Sequence, residues 1–95
     1  MIESINVKVV DNQKILGKFF YRFHVSEDLL MSELAEIMKF KINSKIRDEE
    51  DKLGAKDRMI FFNNRQTVLE TNIIKEVYER CRENDGWLYL DFIID

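Results

Sequence analysis

Two side chains of this protein, His24 and Cys81, are of the types that act as general bases or nucleophiles, and each type occurs once. Such groups need an activating partner within hydrogen-bond reach, and neither residue lies in a recognisable motif. Cys81 falls at an apolar position of a predicted helix, where a cysteine is usually a small core side chain. His24 falls on the polar face of a predicted strand, which is typical of a surface residue. We therefore predict no catalytic residue and no enzyme activity.

Metal and cofactor sites have as little support in the sequence. The acidic run at 48–51 lacks the alternating ligands and closing glutamate of a calcium loop. A single histidine and a single cysteine are too few for a zinc site. The three glycines, Gly17, Gly54 and Gly86, are too scattered for a phosphate-binding loop. We expect neither a metal nor a cofactor.

Composition limits the classes of partner. Fifteen basic and eighteen acidic residues give a net charge of -3, without the basic excess that nucleic-acid binding usually requires. No apolar run approaches the roughly 20 residues that span a bilayer, and no basic-then-apolar leader opens the chain. One cysteine forms no internal disulfide. We expect a single domain over residues 1–95, cytoplasmic, with no nucleic-acid partner and no membrane span.

The first half of the chain predicts two strands and a helix. Ile5, Val7 and Val9 alternate as in a strand with one buried face, and after a polar break a second strand runs over 15–25. Ser26-Glu27-Asp28 supplies a candidate helix cap and first-turn acids. The following helix shows one face at three- and four-residue spacing, made of Leu30, Leu34, Ile37, Met38 and Lys41.

The second half predicts a loop, two strands, a short helix and a last strand. Residues 47–58 are mostly charged and read as a solvated loop. Strands are expected at 59–62 and 66–69, and Thr71 or Asn72 can cap the helix that follows. That helix carries Ile74, Val77, Tyr78 and Cys81 on one face. After a break at Gly86, residues 87–94 alternate, with Leu88, Leu90, Phe92 and Ile94 on one side.

This order of elements indicates an α+β fold. A helix between two strands of one sheet crosses over right-handedly, which places the last strand beside the first in the centre of the sheet. We therefore predict a ubiquitin-like β-grasp with a mixed four- to five-stranded sheet, one main helix and one short helix.

Two blocks of sequence resemble the autophagy ubiquitin-like modifiers, which include GABARAP-type proteins and autophagy-related protein twelve. The C-terminal block reads IKEVYE at 74–79 and ENDGWLYL at 83–90, and Asn63 falls at the family's strand-ending asparagine. The second block, RFHV at 22–25 with MSEL at 31–34, is similar to the strand-to-helix junction of the same proteins. The resemblance implies the β-grasp fold independently.

Two departures set the expected mode of action. GABARAP-type proteins carry two helices before the first strand, whereas this sequence reaches its first strand almost at Met1, a layout more similar to autophagy-related protein twelve. Family members extend to a conjugating glycine, whereas these residues end at Phe92 to Asp95. We expect binding without a covalent bond. The alternative is a chain truncated before its glycine.

The resemblance also implies a binding site. Its strand edge would be Arg22, Phe23, His24 and Val25, and its hydrophobic pocket Leu29, Leu34, Ile37 and Lys41. An exposed edge beside an apolar groove suits recognition by strand addition. For Leu34 and Ile37 a place in the core is an equally good interpretation. Phe20 and Trp87 are expected as apolar anchors of an interface.

The expected function follows from the likeness to autophagy-related protein twelve. It is non-covalent binding to autophagy-related protein five, promoting lipid attachment of the GABARAP-type modifier during autophagosome formation. Protein five and the pathway's lipid-conjugation enzyme would be the partners, and the chain would be recruited to the autophagosome-forming membrane. The alternative is a GABARAP-type peptide-binding modifier or adaptor.

Overall fold

Five strands and two helices make up the part of the chain that the computed structural model describes, residues 4–10 and 20–95. The strands are β1 (Ser4–Val10), β2 (Phe20–Ser26), β3 (Met59–Asn63), β4 (Gln66–Val68) and β5 (Leu88–Ile94). The helices are α1 (Met31–Asn43) and α2 (Ile74–Cys81), and a single 3-10 turn spans Glu49–Asp51. Neither helix of these residues is long and apolar enough to cross a membrane.

The strands form one sheet in the order β2-β1-β5-β3-β4. β1 and β5 pair in parallel, with Val7 opposite Leu88 and Val9 opposite Leu90, and all other neighbours are antiparallel. The prediction that the last strand lies beside the first is confirmed. A mixed five-stranded sheet with one main and one short helix is the ubiquitin-like β-grasp.

One face of the sheet carries the core. Strand alternation directs every second side chain of β1 and β5 to the same face, which the helices cover. The buried side chains of these two strands are Ile5, Val7, Val9, Leu88, Leu90 and Phe92. From α2, Ile74 and Val77 are fully buried, and Tyr78 and Cys81 pack against the core, as their helical spacing predicted.

The covered face of α1 differs from the predicted one. Its buried residues are Met31, Leu34, Met38 and Ile42, whereas Leu30 is 36% exposed and Lys41 is exposed. The helix begins at Met31, so the buried face starts at that residue. It keeps the three- and four-residue spacing that the sequence predicted. Leu30 precedes the helix, and Lys41 lies one position before the buried stripe.

Both helices also begin later than their polar caps predicted. The residues that precede the first turns are Leu30 and Ile73, rather than Ser26-Glu27-Asp28 and Thr71 or Asn72. The two helix starts satisfy each other's amides instead. Met31 N–H donates to the carbonyl of Asn72 at 2.9 Å, and Ile74 N–H donates to the carbonyl of Leu29 at 2.7 Å. Tertiary partners replace the side-chain caps.

The predicted solvated loop at 47–58 is mostly exposed, and its middle is fixed by a pair of hydrogen bonds. The amide side chain of Asn43, at the end of α1, accepts from Leu53 N–H at 2.7 Å and donates to the Leu53 carbonyl at 2.9 Å. Leu53 packs against the core. The loop is therefore tied to the helix in its middle.

Candidate functional site

β2 lies at one end of the sheet. It pairs with β1 on one side, with Arg22 opposite Lys8 and His24 opposite Asn6, and no strand of the described residues pairs with its other side. An unpaired edge presents a row of backbone N–H and C=O groups to an extended peptide. β2 is the strand on which the sequence placed the site.

The side chains of β2 alternate across the sheet as predicted. Phe23 is buried on the core side, and Val25 packs there partly exposed. Arg22 and His24 are exposed on the opposite, outer face. Of Phe20 only the backbone belongs to the described residues, so its role as an anchor stays a prediction. The edge therefore separates two different surfaces.

The core side of β2 faces α1. The Nζ atom of Lys41 lies 5.1 Å from the centre of the Phe23 ring, which brings the helix alongside the strand. Ile37, one turn before Lys41 on the same helix face, and Leu29 are both partly exposed against the core. The structure thus places Lys41 beside Phe23, while the pocket itself stays a prediction.

Leu34 belongs to the core, since its exposed fraction is 0%. Phe23 is nearly as enclosed, at 7%. Of the two interpretations of Leu34 and Ile37, the core accounts for Leu34, while Ile37 stays half-buried at the surface. Contact of Ile37 and Lys41 with a peptide stays a prediction.

The outer side of β2 is bordered by a ring cluster, made of His24, Trp87 and Tyr89 with the ammonium of Lys8. The ring centres of His24 and Trp87 lie 5.8 Å apart. Lys8 Nζ lies 5.7 Å from the Trp87 ring and 5.1 Å from the Tyr89 ring, within cation–π range. His24 Nδ1 lies 2.5 Å from Oδ1 of Asn6.

Lys8 and Tyr89 were missed by the sequence interpretation. They are far apart in the chain and become neighbours only through the parallel register, in which Lys8 lies opposite Tyr89. The available signal was strand alternation. Lys8 lies between the buried Val7 and Val9, so its side chain points to the opposite face of the sheet. Pairing of the first and last strands would have put both on the outer face.

The turn before β5 holds the ring cluster in place. The carboxylate of Asp85 accepts hydrogen bonds from the Tyr89 hydroxyl and, at 2.9 Å, from Trp87 N–H. These donors lower the pKa of Asp85 from its ordinary 3.8, and the carboxylate raises the pKa of Tyr89 above 10.0. Gly86 has a φ of +83°, which only glycine adopts without strain. Tyr78 Oη donates to the Gly86 carbonyl at 2.9 Å.

The described side chains around the β2 edge form no metal site, and Cys81 lies apart from them. In residues 4–10 and 20–95, no three His, Cys, Asp or Glu side chains come together as metal ligands. Cys81 is half-buried against the core, away from His24 on the outer face. What surrounds the β2 edge is apolar surface with three cationic side chains, Lys8, Arg22 and Lys41. The prediction that the chain is not an enzyme stays a prediction.

Comparison with known proteins identifies similar structures but no sequence relative. No protein-family model matches the chain, and no curated protein sequence matches it. The structure is similar to that of Trypanosoma brucei ATG8, with a TM-score of 0.74 and 12% identity over 98% of this chain and 74% of the other. It is also similar to Plasmodium falciparum Atg8 in complex with a P. falciparum Atg3 peptide, with a TM-score of 0.69 and 23% identity over 96% and 76%.

These similar structures establish the fold and bear on which autophagy-related proteins the chain resembles. Both structures are Atg8 proteins, and they do not support the particular resemblance to autophagy-related protein twelve. At these identities the likeness is one of architecture. The chain has the ubiquitin-like β-grasp fold that these Atg8 structures share.

Proposed function

We propose that this chain is a non-catalytic, peptide-binding ubiquitin-like protein of the Atg8 type, acting in an autophagy conjugation pathway. The observation that carries the proposal is the outer edge of β2, with which no strand of the described residues pairs, and which lies between the side that faces α1 and the ring cluster. Strand addition to such an edge supplies main-chain hydrogen bonds, and the two flanking surfaces supply specificity.

The geometry specifies the peptide. A strand added to β2 directs successive side chains to opposite faces of the sheet. Two anchors an odd number of residues apart would therefore enter the two surfaces, one beside Trp87 and the other beside Ile37. Because Arg22 and Lys41 flank the same edge, acidic residues next to the anchors would be favoured. We infer an extended, acidic peptide with two apolar anchors.

A complex of a similar structure supports the class of partner. Plasmodium falciparum Atg8 was obtained with an Atg3 peptide, and that protein shares the fold over 96% of this chain. We propose that the partner here is a segment of an Atg3-like enzyme of lipid conjugation. The comparisons favour this Atg8-type alternative over the expected non-covalent binding to autophagy-related protein five. No observation supports that protein specifically.

Titration with the P. falciparum Atg3 peptide, followed by fluorescence anisotropy, tests the proposal. Arg22→Glu should weaken binding about tenfold, because it reverses a charge beside the β2 edge. Arg65→Glu makes the same change of charge in the turn between β3 and β4, at the far end of the sheet, and should change affinity less than twofold.

A backbone variant of the peptide separates strand addition from side-chain attraction. N-methylation of those amides that point toward β2 removes the main-chain donors and should abolish binding. If the wild-type protein does not bind, or if both arginine variants bind equally, the β2 site is rejected. Full affinity of the methylated peptide would reject strand addition.

A further inference from the structure

A second surface lies where the two helices begin. Leu30 and Ile73 face each other in an isolated antiparallel bridge, which places their side chains next to one another. They are 36% and 37% exposed, although residues at helix starts are usually polar. Leu69, in the loop that leads to Ile73, is 61% exposed. Apolar side chains thus remain accessible where polar caps would be expected.

Four acidic side chains lie within three residues of this apolar pair in the chain. Asp28 and Glu33 flank Leu30 in the chain, Glu70 and Glu76 flank Ile73, and all four are exposed. We call Leu30, Ile73 and these four acids the acidic-rimmed patch. Glu27 is left out of it, because it lines a neighbouring groove together with Lys75 and Arg82.

The charge of the patch contrasts with the rest of the chain. Segments 28–33 and 69–76 contain four acidic residues and one basic residue, whereas the rest of the chain contains fourteen of each sign. The whole net charge of -3 is therefore concentrated at this end. A field of this sign attracts cationic partners and repels nucleic acid and anionic lipid surfaces.

The backbone of the patch offers no edge for another strand to extend. Met31 N–H and Ser32 N–H donate to the carbonyls of Asn72 and Glu70 at 2.9 and 3.0 Å. In the reverse direction, Ile74 N–H donates to Leu29. A partner must therefore be held by side chains alone, unlike a peptide at β2. The same bonds fix the apolar pair in place before any partner arrives.

We propose that the acidic-rimmed patch docks a basic amphipathic helix of a partner protein. Such a helix presents an apolar stripe flanked by lysine and arginine, which matches two central apolar side chains surrounded by carboxylates. Its own backbone is satisfied internally, so it needs no strand edge. The surface is separate from the β2 edge, and this proposal stands without the proposed peptide site.

The test uses a synthetic 18-residue helix of leucine and lysine as the probe, titrated into the whole 15N-labelled chain. We expect chemical-shift changes at 28–33 and 70–76, with 20–26 unaffected. Leu30→Ser with Ile73→Ser should weaken binding about tenfold, since these side chains are the central apolar contacts. Serine is a favoured residue before a helix, so α1 should stay intact.

Two matched controls separate docking from general attraction. Phe40→Ser removes an apolar side chain that is 76% exposed on another face of α1, and it should leave affinity within twofold. Asp28→Lys with Glu70→Lys should weaken binding at least tenfold. Glu50→Lys with Asp51→Lys makes the same charge change in the 3-10 turn and should have a much smaller effect.

Three results would overturn the proposal. The first is equal weakening by both charge-reversed pairs, which would mean nonspecific attraction. The second is full affinity of the double serine variant. The third is a change at 28–33 and 70–76 that depends on protein concentration without the probe, which would make a second copy of this chain the occupant.

Discussion

Leu34 matches two patterns, the buried face of a helix and the pocket implied by the resemblance to the autophagy ubiquitin-like modifiers. Its 0% exposure places it in the core, under α1. We expect Leu34→Ala to lower the free energy of unfolding by about 2–5 kcal/mol, because a cavity replaces the lost side chain. Leu69→Ala, at a residue 61% exposed, should change it by no more than about 0.5 kcal/mol. Urea denaturation measures both, and equal effects would contradict this assignment.

Asp85 and Tyr89 form a pair whose ionisation can be followed at single residues. The lowered pKa of Asp85 stabilises the fold above its unfolded pKa, and the benefit is lost as pH falls through the folded value. The raised pKa of Tyr89 stabilises below pH 10.0, and the benefit is lost as pH rises through its folded value. Tyr89→Phe should raise the Asp85 pKa toward 3.8, measured by carboxyl 13C titration.

A second tyrosine provides the control for that titration. Tyr78 donates its hydroxyl to the Gly86 carbonyl in the same turn and makes no hydrogen bond to the Asp85 carboxylate. Tyr78→Phe should therefore leave the Asp85 pKa where it is. If both variants shift it equally, the cause is a change in the turn rather than the lost donor.

Some residues around β2 are predictable from the local sequence, whereas others depend on contacts between distant parts of the chain. Arg22, His24 and Phe23 were assigned to opposite faces of one strand from alternation alone, because the period of a strand is local. Lys8 and Tyr89 were not found, because their contact depends on a pairing register between opposite ends of the chain. Sequence reasoning thus recovered the edge and missed half of the ring cluster.

At the scale of elements, Asn43 anchors the middle of the charged loop. Asn43→Ala removes both hydrogen bonds to Leu53 and should lower the free energy of unfolding by about 1–3 kcal/mol, since the Leu53 backbone loses its partners. Ser44→Ala, which removes one exposed bond to the Lys41 carbonyl, is the milder control. Hydrogen exchange over 52–55 should accelerate only in the first variant.

Local sequence signals predicted that the two helices exist but not where they begin. Their existence and order were predicted from the periodic apolar residues, which are needed to bury one face of each helix. Their starts were misplaced by several residues at α1 and by one or two at α2, because the polar candidates compete with backbone carbonyls from the other helix start. Side-chain caps are local signals. The hydrogen bonds that the carbonyls of Asn72 and Leu29 accept form only after the two segments meet.

For the whole molecule, we expect stability to be graded from the centre of the sheet outward. β1 and β5 contribute six buried side chains and each has a strand on both sides. β4 has three residues, none of them buried, and one neighbour. In native-state hydrogen exchange, amides of β1 and β5 should exchange last, near the global free energy, and those of β4 first. Equally slow exchange in β4 would contradict this gradient.

The fold as a whole was predictable because its central pairing follows from chain order and handedness. Alternation in the first and last strands agreed with that topology, so the local and global signals pointed to the same sheet. The uncovered surfaces were less predictable. Burial does not restrict which residues occupy an exposed surface. No repeating pattern in the sequence indicates that segments 27–33 and 69–76 lie next to each other.

The β2 edge, with which no strand of the described residues pairs, also bears on self-association of the protein. Unpaired strand edges template fibril-like stacking unless something discourages it. At the other end of the sheet, the shortness of β4 serves that purpose. If β2 accepts a peptide as we propose, the strand cannot be shortened or blocked, and positive charge, such as that of Arg22, would act as the deterrent. Neutralising Arg22 should then promote precipitation on storage, even where it leaves the fold intact.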